Sequence, residues 1–137
     1  MANTLKVITA SASDIDGSNG DLAADTDRVL YKAGSGVTTI VVGFHVCNIL
    51  TNTINITVTI NSDTAASPTY FGVGGTGDGT NGVNKAAYLV KDVPIPQGST
   101  IELLSGNKIF LQTTDEIKIQ SDTAASFNTI LSFVEQT

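Results

Sequence analysis

Residues 36–61 read GVTTIVVGFHVCNILTNTINITVTIN, and the fold hinges on this stretch. Ile40, Val42, Phe44 and Val46 alternate with Thr39, Val41, Gly43 and His45. After a break, Ile54, Ile56, Val58 and Ile60 alternate with Asn55, Thr57, Thr59 and Asn61. Successive side chains of a strand point to opposite sides, so each half lays an apolar stripe along one side. Residues 50–53 are few and polar, enough to reverse the chain. The stretch therefore predicts a long β-hairpin with an apolar inner face.

Working outward, the same alternation recurs in shorter pieces. Leu5, Val7 and Thr9 alternate with Lys6, Ile8 and Ala10, as in a first strand or an arm that pairs with a neighbour. Residues 1–26 then comprise this arm and a polar loop rich in Asp and Gly. Strands are predicted at 28–33 and 69–73, and at 87–93 beyond a Gly-rich loop over 72–84. Pro94 and Pro96 bracket Ile95; proline lacks a backbone donor, so this piece belongs at an edge or in a connector. Strands at 100–104 and 108–112 join across Ser105, Gly106 and Asn107, and another runs over 117–120. In the last strand, 127–135, the apolar residues Phe127, Ile130, Leu131, Phe133 and Val134 fall on both faces. Such a strand is either central or covered by a partner. The hexapeptide SDTAAS occurs at 62–67 and at 121–126, reading as two similar polar turns or as the trace of a duplication.

Eight to ten short strands, closely spaced by turns, predict an all-β chain: one β-sandwich domain over 1–137, Greek-key or jelly-roll-like, with a small closed barrel as the alternative. Composition agrees. Hydrophobic residues make up 41% and charged ones 15%, the latter below the roughly 25% of ordinary globular chains. The polar surface then falls to Thr, Ser, Asn and Gly, which favour strands and turns over helices.

Charge excludes some partners. The net charge is −6, with only 7 Lys and Arg spread along the chain, so no basic footprint exists for nucleic acid or an anionic membrane surface. No run approaches the roughly 20 apolar residues that span a bilayer, and no signal peptide is expected. A lone cysteine, Cys47, rules out an internal disulfide and suits folding in a reducing cytoplasm.

Candidate chemistry is thin. His45 and Cys47 share a strand face, but two residues along a strand is about 7 Å, too far for a nucleophile–base pair. With 1 His and 1 Cys a zinc site lacks ligands, and structural roles are expected: Cys47 as a small buried hydrophobe, His45 on the less apolar face. Residues 72–77 satisfy GxGxxG, yet no helix-forming sequence follows to hold a pyrophosphate. Asp14, Asp16 and Ser18, within the loop from Asp14 to Asp21, match calcium positions one, three and five, but Asn19 replaces the glycine and Asp25 the terminal Glu. Asn55, Ile56 and Thr57 form a glycosylation sequon inside a strand. No carboxylate pair or hydrolase nucleophile stands out. The expectation is no enzyme, no catalytic or metal residues and no cofactor.

Residues 30–48, LYKAGSGVTTIVVGFHVCN, and 88–120, YLVKDVPIPQGSTIELLSGNKIFLQTTDEIKIQ, resemble a frame common among virion proteins of tailed bacteriophages. Its marks here are Leu30-Tyr31, Gly43, Asn48, Pro94-Ile95-Pro96, Gly98-Ser99, Leu103 and Asp115. The resemblance implies a small structural protein of the head or tail, usually a homo-oligomer. The reading is a capsid decoration or cement protein that stabilises the head through subunit contacts, made in the host bacterial cytoplasm and located in the virion. Its expected partners are itself, first as a trimer, and the major capsid protein or other virion proteins. A tail, neck or baseplate/fibre component is the alternative. A calcium- or carbohydrate-binding module is the alternative from another class, disfavoured by 0 Trp and 6% aromatics.

Overall fold

The computed structural model describes residues 2–13, 20–62 and 86–137. The 69–73 strand, the GxGxxG run, most of the first SDTAAS copy and the calcium-like positions Asp14, Asp16 and Ser18 lie outside these residues. Nine strands are described: β1 (Asn3–Ser11), β2 (Arg28–Lys32), β3 (Thr38–Asn48), β4 (Ile54–Asn61), β5 (Ala87–Ile95), β6 (Thr100–Glu102), β7 (Ile109–Leu111), β8 (Glu116–Ser121) and β9 (Phe127–Gln136).

The strands form two antiparallel sheets. The first runs β1-β9-β3-β6, with β7 also on β3; the second runs β2-β8-β4-β5. The pairs β1·β9, β2·β8, β3·β6/β7 and β4·β5 are the rungs of one long hairpin whose tip joins β4 to β5. Rolling that hairpin brings β9 onto β3 and β8 onto β4. This order is the jelly roll: two sheets whose inner faces share one core. The sandwich expectation holds in its jelly-roll form.

The hairpin predicted over 36–61 is corrected. β3 lies in the first sheet and β4 in the second, so residues 49–53 cross between sheets. Alternation fixes which face of a strand is buried but not which strand lies beside it; two stripes meeting across a core look the same in sequence as two stripes side by side. The stripe on β3 is corrected too. Its register shifts between Val41 and Gly43, a β-bulge that changes the phase of the strand. Thr39 and Val41 therefore face the core with Phe44, Val46 and Asn48, while Ile40 and Val42 turn outward. On β4 the predicted stripe stands: Ile54, Ile56 and Val58 are fully buried.

Similarly, β6 and β7 do not pair with each other. They lie end to end along β3, opposite His45–Cys47 and Thr39–Val41 respectively. Ser105 and Gly106 between them take positive φ of 47° and 85°, a tight kink that keeps the chain on the same edge. β5 includes Pro94 and forms an edge of the second sheet, where a missing donor costs nothing. The last strand is central in the first sheet, between β1 and β3; Phe127, Leu131 and Phe133 fill the core with Phe44, Leu111, Ile117 and Ile119.

Candidate functional site

Two polar clusters hold the sandwich and are not sites. At the corner after β3, buried Asn48 donates from Nδ2 to the carbonyls of Asn52 (2.7 Å) and Ile95 (2.9 Å), and its Oδ1 accepts from the Leu50 amide (2.8 Å). One side chain thus ties the crossing between the sheets to the end of β5. At the other end, the Tyr31 hydroxyl of β2 bonds Thr39 Oγ1 (2.7 Å) and donates to Glu135 Oε1 (2.8 Å), and Lys6 pairs with Glu135. Burial pushes the Tyr31 phenol up, while Lys6 and then Tyr31 hold the Glu135 carboxyl below its usual range.

The predicted residues fall elsewhere. His45 and Cys47 both lie on the outer face of the first sheet. His45 Nε2 meets Glu102 Oε2 at 2.8 Å, a partner invisible in sequence because it depends on β6 lying along β3. Cys47 is half-buried there, its thiol directed to the Asn48 carbonyl at 3.7 Å; it is not the core hydrophobe expected. Asn55 of the sequon binds Asp122 through Nδ2 (2.7 Å) and its amide (3.0 Å); its amide hydrogen bond is the main reason the Asp122 carboxyl is held low. No group of three His, Cys, Asp or Glu that could hold a metal occurs among the described residues.

The feature that stands apart is the outer face of the first sheet. The register places Leu5 beside Val134, Val7 beside Ser132, Ile130 beside His45 and Phe110 beside Ile40, all turned from the core. Leu5 is 82% exposed, Phe110 65%, Val7 62%, Ile130 46% and Val42 45%. Along this face lie open hollows of about 340 and 270 Å³ beside Ile130 and Asn128, and one of about 330 Å³ between Leu5, Val7 and Val42. The outer face of the second sheet is different. There Asn55, Thr57, Thr59 and Asn61 of β4 stand beside Glu116, Lys118 and Gln120 of β8. Glu116 is bridged by Lys32 (3.0 Å) and Lys118 (3.7 Å), and the hydrogen bond from Lys32 chiefly holds its carboxyl low. This face also exposes Val29 and Tyr88, each beside a polar neighbour, Lys118 and Thr59; the first sheet's outer face carries contiguous apolar surface of the kind that marks an interaction site. The two-faced pattern of the last strand was the sequence signal for it. Leu5, Val7, Val42 and Phe110 were not legible as its members, because register and the bulge decide them.

No family model matches the chain, and no curated protein matches it. Solved structures resemble it at low identity. One, described as "Bacillus endospore appendages form a novel family of disulfide-linked pili", is 15% identical, covering 99% of this chain and 87% of that one, with a TM-score of 0.45. The infectious bursal disease virus Gx strain structure is 13% identical over 96% of this chain and 33% of that one, TM-score 0.45. The subviral particle of the same virus's VP2 is 11% identical over 97% and 32%, TM-score 0.41. The chain spans about a third of the length of those two viral chains. What the strands and surfaces define is a jelly-roll sandwich with one hydrophilic and one apolar outer face.

Proposed function

We propose that this chain is a non-enzymatic structural protein of a phage virion, a decoration or cement protein on the outside of the head. The observation that carries the contact role is the apolar outer face of the first sheet. Jelly rolls serve capsids, lectins and enzymes alike, so the fold does not choose among them; the surface does. Covering the roughly 500 Å² that its exposed apolar side chains present contributes on the order of 10 kcal/mol, before the cost of association is set against it. Repeated over many copies, such contacts raise the free energy needed to pull subunits apart.

The phage assignment rests on the resemblance, whose marks occupy fold-determining places. Leu30, Tyr31, Asn48, Ile95 and Asp115 are buried, Gly98 turns at a φ of 66°, and Leu103 donates its amide to Phe44 (2.9 Å). The net charge of −6 suits a surface away from packaged DNA. The experiment is to count the protein per purified virion against the major capsid protein. Hundreds of copies support decoration, six or twelve move it to the neck or tail, and none contradicts a virion role. Heads lacking it are expected to release DNA at lower temperature.

A further inference from the structure

We infer that the outer face of the first sheet is a self-complementary interface, and that its occupant is a second copy of this chain packed face to face across a two-fold axis. The inference rests on the contact role proposed above but not on the virion.

Area is the first argument. Strands β1, β9 and β3, of 9, 10 and 11 residues, with the short β6 and β7 end to end along β3, lie about 4.8 Å apart at about 3.3 Å per residue and make a face of roughly 20 by 30 Å. With side-chain relief this approaches the roughly 800 Å² that each partner brings to a standard specific interface. The face is therefore large enough by itself, with no contribution from loops.

Charge is the second. Among the described strand residues the ionisable groups on this face are His45 and Glu102, which meet at 2.8 Å. Two copies of a chain with a net charge of −6 repel each other through most of their surface. Here each copy brings one carboxylate, already held by His45 and by the Phe44 and Leu104 amides. A partner chosen for its charge would find only that held carboxylate among the described strand residues.

Closure is the third. A flat face that meets itself closes at two copies, so this inference replaces the trimer expected from sequence with a dimer.

Light scattering coupled to size exclusion, from 1 to 200 µM, tests it. The expected mass is twice 14.2 kDa at the upper end. Ile130→Lys and Val42→Lys, both outward on this face, are expected to weaken the dimer at least ten-fold. Val29→Lys, on the outer face of the second sheet, is expected to leave it within two-fold. The wild-type chain gives an independent reading, because Cys47 lies in the 270 Å³ hollow. Its alkylation rate is expected to fall at least five-fold between the same two concentrations. A monomer at 200 µM overturns the inference and leaves the face to another protein. A mass of three or more subunits, a dimer that survives both face variants, or an alkylation rate independent of concentration overturns it as well. The copy number on virions reports separately on the phage role, so the two can fail independently.

Discussion

Asn48 shows how one residue can hold a junction between sheets. Its amide gives both its hydrogens to carbonyls and accepts one backbone amide, all at 2.7–2.9 Å and almost fully buried. Asn48→Ala strands the Ile95 carbonyl and is expected to cost about 2–3 kcal/mol in urea unfolding. Asn48→Asp keeps the size but donates nothing, and should cost at least as much. Tyr31→Phe removes the hydroxyl that joins Thr39 and Glu135, with an expected loss of about 1 kcal/mol. Glu116, Asp122 and Glu135 all titrate below their ordinary values of 4.5, 3.8 and 4.5, held there chiefly by Lys32, the Asn55 amide and Lys6. Groups lowered in the folded state stabilise it above the unfolded values, and that stability is lost as pH falls through the folded ones. The urea midpoint is therefore expected to be level from pH 7 to about 5 and to drop below about 4.5, less steeply in Glu135→Gln. A midpoint that rises with acid would show that these pairs do not stabilise the fold.

At the scale of elements, β3 decides both the core and the apolar face, and it was the element read least accurately. Its strand character was plain from alternation. Its phase was not, because a bulge at Val42 depends on what β9 places opposite. The same holds for β6 and β7, whose shared edge on β3 depends on a kink at Ser105 and Gly106 instead of a reversal. Edge placement of β5 was legible because Pro94 carries a steric and hydrogen-bonding rule of its own. His45 and Cys47 were correctly placed on one face, but Glu102, 55 or more residues away in sequence, had no local signal. The bulge makes a direct prediction. Val41 is fully buried whereas Val42 is 45% exposed, so Val41→Ala should cost about 2 kcal/mol and Val42→Ala less than about 1 kcal/mol. The reverse order in urea unfolding would return Val42 to the core and remove it from the outer face.

For the whole molecule, the asymmetry between the two outer faces is the central claim. A jelly roll buries one side of every strand, and the other side is free to be polar. The second sheet uses that freedom mostly with Thr, Asn, Lys and Glu, with Val29 and Tyr88 exposed on its two edge strands. The first sheet does not, and places Leu5, Val7, Phe110 and Ile130 where water would otherwise be. The proposed protein contact accounts for this choice, and it can be tested side chain by side chain. Hydroxyl-radical footprinting, comparing dilute with concentrated protein, reports the exposure of each directly. The expected result is that Leu5, Val7, Phe110 and Ile130 lose reactivity on assembly while Val29 and Tyr88 of the second sheet keep theirs. Unchanged reactivity at the first four, or protection confined to Val29 and Tyr88, would contradict the account.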